Sequence, residues 1–303
     1  MIELIKNTKI DFMSKRAFAF AFSGILVALG IFSLVQIWRG HANLGIDFAG
    51  GTQVEIKFDK YVPLQQVRVA LEKAGLTGME YQDLPTLDKV LIKRKGTLEN
   101  LGGISNSITG TLQQNFADAK PVIDSTTEIG PEVGSRLRND AILASLIAAL
   151  AILVYVAIRF QFRFSIGAVI ATFHDVMAVL GVFYLMGKEV NLIFVSALLT
   201  IAGYSLTDTV VVFDRIRENL KLSPKDPVEK VVNLSINEVL SRTLITSLTV
   251  IFCSLALLFF GGEVIHDFAL AITLGVIVGT YSSWFVASPA VLLVGGGKIA
   301  RKR

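Results

Sequence analysis

The stretch Val190–Phe213, VNLIFVSALLTIAGYSLTDTVVVF, holds one charged residue in 24, Asp208. Its length and apolar character suit a helix crossing a hydrocarbon core of ~30 Å. A carboxylate at that depth costs roughly 2.5–3.5 kcal/mol even on lenient insertion scales. Such a residue persists by facing a bundle interior, by finding a partner, or by carrying an ion or proton.

Outward from this stretch, similar runs lie at Ala17–Trp38, Ala141–Ile158, Phe164–Met186, Thr243–Gly262 and Phe268–Gly297. Each is long enough to span a bilayer as a helix, so the chain is expected to be a polytopic α-helical membrane protein with six transmembrane helices. The composition, 52% hydrophobic and 18% charged, is wrong for a soluble chain of 303 residues. Ala17–Trp38 is too long for a signal-peptide core and has no A-x-A site after it, so it reads as an uncleaved first helix.

Lys and Arg in the short loops set the orientation. Lys15 and Arg16 precede the first span, Arg159 and Arg163 follow the second, and Arg215, Arg217, Lys221, Lys225 and Lys230 follow the fourth. Lys298, Arg301, Lys302 and Arg303 follow the sixth, whereas the opposite side has only Lys188. Both termini are therefore expected in the cytoplasm, with residues 1–38 forming the N-terminus and first helix, 139–297 the other five helices, and 298–303 a basic cytoplasmic tail. These anchors account for the net charge of +4, so the basic balance is not read as nucleic-acid binding. The single cysteine, Cys253, excludes an intramolecular disulfide and a cysteine metal site, and reads as a small hydrophobe.

Residues 39–138 form a soluble extracytoplasmic insert between the first two helices. Thr52–Phe58 alternates, with Val54, Ile56 and Phe58 on one face. Pro63–Ala74 has helical spacing and ends at Gly75. Met79–Gln82 and Lys89–Lys95 read as strands around a turn at Asp83–Asp88, Ile104, Ile108, Leu112 and Phe116 mark a second helix, and Pro121–Glu128 reads as a last strand. The order βαββαβ predicts a ferredoxin-like α/β domain. It carries no nucleophile motif, histidine cluster or carboxylate pair, and reads as a binding or lever module rather than an enzyme.

The candidate chemistry lies in the spans. Antiparallel neighbours put Arg242, at the start of the fifth span, near the depth of Asp208. An arginine there favours the ionised carboxylate, while burial opposes charge. A transport role and a static ion pair joining two helices are both open. His174 and Asp175 fall ~15 Å into the third span, and adjacent helix positions point about 100° apart, so they are not expected to face one site equally. Histidine can exchange protons near neutral pH; a packed polar pair is the alternative. Asp214, Arg215, Arg217 and Glu218 read as a solvated helix end. Gly275, Gly279 and Ser283, at spacing four, suit close helix packing. No phosphate-loop motif occurs, since Gly295–Lys298 is followed by Ile299. No cofactor and no metal site is expected.

Five segments together resemble the SecF family of the bacterial SecD–SecF export complex. They are LGIDFAGGT at Leu44–Thr52, GPEVGSRLRNDAI at Gly130–Ile142, FHDV at Phe173–Val176, GYSLTDTVVVFDRIREN at Gly203–Asn219 and NEVLSRTLITS at Asn237–Ser247. The likeness covers essentially the whole chain; the first segment alone is shared with SecD. The resemblance implies a non-enzymatic membrane subunit of the resistance–nodulation–division superfamily in the bacterial inner membrane. It implies SecD as partner in a twelve-span unit, association with the SecYEG channel and YajC, action on an exported polypeptide after SecA, and use of the proton-motive force. It also implies that Asp208 and Arg242 take part in proton conduction, and that His174 and Asp175 occupy the family's His-Asp pair. The expected cycle has protons reaching Asp208 from outside, weakening its pull on Arg242 and repacking spans four and five. That motion passes through the first span to the soluble domain. A small-molecule or lipid exporter half of the same superfamily and a non-conducting structural subunit are the competing readings.

Overall fold

The computed structural model describes residues 8–84, 88–96, 101–159 and 162–295; the basic tail and part of the turn after Asp83 lie outside them. Six helices among the described residues are long and apolar enough to cross a membrane. They are α1 (Arg16–Trp38), α5 (Pro131–Arg159), α6 (Phe162–Leu185), α7 (Leu192–Leu222), α8 (Val228–Phe260) and a final pair, α9 (Glu263–Ser282) and α10 (Ser288–Gly295), joined by a π-helical turn at Ser283–Ala287. The chain divides into two compact units.

The first unit to consider spans Leu44–Ala144 with Val190–Leu192. It contains α2 (Ile46–Ala49), β1 (Gly51–Lys57), α3 (Leu64–Lys73), β2 (Met79–Leu84), β3 (Lys89–Lys95), α4 (Leu101–Asn115) and β4 (Val122–Ile129). All pairs in the sheet are antiparallel and the strand order is β2-β3-β1-β4, the ferredoxin-like arrangement that the βαββαβ pattern predicts. The alternation in β1 is the cause. Val54 and Ile56 pair with Ile92 and Val90 across the ladder. All four are buried, in one cluster with Val67 and Leu71 of α3 and Ile104, Ile108 and Leu112 of α4. Burying each such side chain stabilises by about 1.5–3 kcal/mol.

The two glycines of the GIDFAGG run are required by geometry. Gly50 and Gly51 have φ of +73° and +145°, conformations that side-chain-bearing residues rarely adopt. A Cβ on Gly51 would also stand 2.2 Å from the Arg94 carbonyl oxygen. The aspartate of the run has a separate task. Asp47 Oδ2 accepts the Leu192 N–H at 3.0 Å, and Gly45 N–H donates to the Val190 carbonyl at 3.0 Å. A carboxylate at the first residue of α7 satisfies one of its orphan donors and complements the helix dipole.

On the polar face of the sheet, Lys89 bridges Asp124 and Glu55, the latter at 3.5 Å. The hydrogen bond from Lys89 holds the Asp124 carboxyl below the usual carboxylate range and the Lys89 ammonium above the usual lysine value. A lowered carboxylate contributes stability that is present above its unfolded pKa of ~3.9 and fades as pH falls through its folded value. The raised lysine contributes below ~10.4 and is lost as pH rises through its folded value. Asp124→Asn should therefore lower the melting temperature at neutral pH, with the gap to wild type closing in acid. A gap that persists unchanged at pH 2 would dismiss the ion pair as its source.

The second unit contains α1, α6, α8, α9, α10, most of α7 and the end of α5. Its core gathers Phe164, Phe213, Ile216, Val231, Val232 and Ile236, with Phe164 and Phe213 edge to face at 5.2 Å. Ahead of α1, Asn237 exchanges hydrogen bonds with both the N–H (3.0 Å) and C=O (2.9 Å) of Ile10, and buried Phe12 packs on Trp284 and Phe285. Helices α7 and α8 run well past the apolar stretches that mark them, to Leu222 and from Val228. Arg242 therefore lies inside α8 rather than at its start. The extra turns carry the charges that read as a helix end, and Pro227, which cannot donate to a preceding turn, bounds α8.

Candidate functional site

Asp208 is buried in α7, 7% exposed. It borders a pocket of about 200 Å³ between α7 and α8, lined by Tyr204, Thr207, Val211, Arg242, Thr243 and Thr246. Asp208 Oδ2 has no hydrogen-bond partner among the described residues, and neither does the buried hydroxyl of Thr243. The groups that act on the carboxylate are the Ser283 and Thr243 hydroxyls, the Asp175 carboxylate and the Arg242 guanidinium. The expected proximity of Asp208 and Arg242 holds, since they line one pocket. No Asp208–Arg242 ion pair within 4.0 Å exists among the described residues, so they are not locked together here. An ionised buried carboxylate with an unsatisfied oxygen is costly, and protonation removes that cost.

Asp175 is the opposite case. It is fully buried on α6 and fully employed: Oδ2 accepts from the Ser205 hydroxyl and from Ser282 at 2.8 Å, and Oδ1 lies 2.8 Å from His174 Nδ1. The rule of 100° between neighbours does not keep His174 and Asp175 apart, because their side-chain torsions fold the two groups onto each other. His174 Nε2 has no partner among the described residues, and its ring lies 6.2 Å from that of Tyr281.

Residues that periodicity reads only as packing bring these groups together. Gly275, Gly279 and Ser283 climb one face of the last span, and Ile201, Ser205 and Thr209 climb the facing stripe of α7. A Cβ on Gly275 would fall 2.4 Å from Ile201, and one on Gly279 would fall 3.3 Å from Ser205 and 3.6 Å from Asp175 Oδ2. Ser283 Oγ meets Thr209 Oγ1 at 3.1 Å. This small-residue seam, typical of close helix contacts in lipid, puts serines of α7 and of the last span beside the two aspartates. The π-helical turn begins at Ser283, beside the site; such turns recur at functional positions. Ser205, Ser282, Ser283 and Thr243 are the members that sequence reasoning missed. Their signal was weak, since serine and threonine are ordinary in membrane helices.

No cluster of three or more His, Cys, Asp or Glu suited to a metal occurs among the described residues. What the geometry offers is one under-bonded carboxylate, Asp208, on α7 and one fully bonded carboxylate, Asp175, on α6.

The fold and site define a multi-pass membrane protein with an inserted ferredoxin-like domain and an intramembrane acidic site. Residues 109–296 match the family model for the protein export membrane protein SecD/SecF, C-terminal, and residues 42–62 match the SecD/SecF GG motif. The protein translocase subunit SecF of Thermodesulfovibrio yellowstonii is 56% identical over the full length of both chains. That of Calditerrivibrio nitroreducens is 42% identical over 100% of this chain and 99% of its own. A crystal structure of SecDF, a translocon-associated membrane protein of Thermus thermophilus, is similar over 95% of this chain at 37% identity with a TM-score of 0.81. The chain spans 39% of that longer polypeptide. It belongs to the SecF family.

Proposed function

We propose that this chain, together with SecD, uses the proton-motive force to promote late steps of polypeptide export through the SecYEG channel, with Asp208 as the group that takes up and releases the proton. It lies in the inner membrane with both termini cytoplasmic, as the Lys and Arg distribution favours. The observation that carries the reading is the buried Asp208 oxygen without a partner, next to an arginine that is near but not bonded. Protonation neutralises Asp208 and frees Arg242; deprotonation attracts it. One elementary charge crossing 100 mV is worth ~2.3 kcal/mol, enough to bias the packing of α7 against α8. The motion is expected to pass through the first span to the extracytoplasmic segment. Asp175, with His174, positions the seam and adds to the field at Asp208.

SecD as partner is favoured by a further feature. Thr200, Gly203, Thr207, Arg242 and Thr246 are exposed along α7 and α8 at the depth of the spans. The threonine hydroxyls bond carbonyls of their own helices, but lipid would leave the Arg242 charge uncompensated, whereas a second helical half can cover it. The exported polypeptide, SecA, YajC and the lipid membrane complete the expected partners.

Reconstituted with SecD and the channel in vesicles that import the polypeptide, the wild-type chain should carry protons out of the lumen during export, read by a pH-sensitive dye. Export at full rate with no accompanying flux would remove the proton from the mechanism.

A further inference from the structure

Arg242 lines a second cavity as well as the Asp208 pocket. This cavity, about 480 Å³, is bordered by Asp214, Arg215, Glu218 and Glu238, and shares Val211 and Arg242 with the first. The two are therefore contiguous, with the arginine at their junction. Its guanidinium makes no hydrogen bond or ion pair among the described residues. Every other charge around the second cavity is engaged. Arg215 donates from Nε to Glu238 Oε2 at 2.7 Å and from Nη1 to Glu218 at 2.6 Å, and Asp214 pairs with Arg159 at 3.2 Å.

Glu238 is the instructive member. Arg215 and Asn219 both bond its Oε2, at 2.7 and 2.6 Å. Its Oε1 accepts no protein hydrogen bond among the described residues. Glu238 also stands four positions before Arg242 on α8, the spacing and order at which a carboxylate and a cation on one helix attract best. Two arginines thus have a claim on one carboxylate, and Arg215 holds it.

We propose that Glu238 is the alternate counter-ion of Arg242: the arginine turns to Glu238 when Asp208 is protonated and to Asp208 when it is ionised, and Arg215 restrains Glu238 so that the exchange stays reversible. This rests on the proton-carrying reading of Asp208. Glu238 is a positioning residue, acting through Arg242. Among the described residues, the ionisable groups lining the two cavities are Tyr204, Asp208, Asp214, Arg215 and Glu218 on α7 and Glu238 and Arg242 on α8.

The test uses Arg215→Gln, Glu238→Gln and the double variant, each assembled with SecD in native membrane. Removing Arg215 releases Glu238 to capture Arg242, so gradient-stimulated export should fall roughly fivefold, within the range of coupled neighbouring charges. Adding Glu238→Gln removes the trap and should restore export to within about twofold of wild type. A double variant as poor as Arg215→Gln, or poorer, overturns the proposal. A second readout is labelling of Asp208 by a hydrophobic carbodiimide, which modifies the protonated carboxyl. The pH of half-maximal labelling should move up in Arg215→Gln and down in Glu238→Gln. If Arg215→Gln does not assemble, the Glu238→Gln midpoint decides: an unmoved midpoint overturns the exchange. Opposite shifts would stand even if Asp208→Asn still responded to the gradient, so failure here and failure of the proton-carrying reading are told apart.

Discussion

Replacing Asp208 with asparagine is expected to leave a chain that assembles with SecD and no longer responds to a proton gradient. The amide has the volume of the acid and can hydrogen-bond the Thr243 and Ser283 hydroxyls around it, so the fold has no reason to fail. It cannot bind and release a proton at accessible pH, and it offers Arg242 no charge. A charge moved through 100 mV is worth ~2.3 kcal/mol, which corresponds to about a 50-fold bias between two packings of α7 and α8. The gradient-stimulated part of export should fall by up to that factor in the variant, while export driven without a gradient should change little. The measurement is export into vesicles with and without an imposed gradient, alongside recovery of the SecD complex. Full stimulation in the asparagine variant, with normal assembly, would show that the proton travels elsewhere.

The six spans and the domain between the first two were legible because both rest on patterns with one physical cause. Runs such as Val190–Phe213 exclude charge since lipid cannot solvate it. Alternation in Thr52–Phe58 follows from a sheet with one face on a core. The helix ends were not legible. Turns bearing Asp214, Arg215 and Glu218 carry no apolar signal, yet α7 continues through them to Leu222, because a helix in water needs only ordinary propensity and a neighbour such as α8. Asp208 stood out as a lone charge, but its contrast with Asp175 did not. Which carboxylate is satisfied depends on Ser205 and Ser282, brought in from helices that are remote in sequence. Nor does spacing along one helix reveal that Arg215 holds Glu238 away from Arg242; that choice is made across two helices.

The other large effect is expected at a glycine that packs against backbone rather than against a charged side chain. On α1, a Cβ at Gly30 would stand 2.3 Å from the Met177 carbonyl oxygen and 2.6 Å from its Cβ, while one at Gly24 would meet nothing within 4 Å. Gly181 faces the same crossing, where a Cβ would stand 2.9 Å from Gly30 N. Two glycines thus let α1 and α6 approach backbone to backbone, and a carbonyl in a helix cannot turn aside as the end of a side chain can. Gly30→Ala must separate the helices, at about 1–3 kcal/mol for an overpacked contact. The same change at Gly24 should be neutral, or stabilising by up to about 1 kcal/mol through helix propensity. Thermal melts of the two variants in detergent, within the SecD complex, should therefore differ by about 1–4 kcal/mol, the sum of the two effects. Equal melts would mean that the α1–α6 crossing is looser than the geometry states. Met177 lies two residues beyond Asp175 on α6, so displacement there reaches the seam as well. Even so, loss of gradient response in Gly30→Ala should track loss of assembled complex, whereas in Asp208→Asn it should appear with the complex intact. That separation distinguishes a residue that holds the helices in place from one that carries the charge between them.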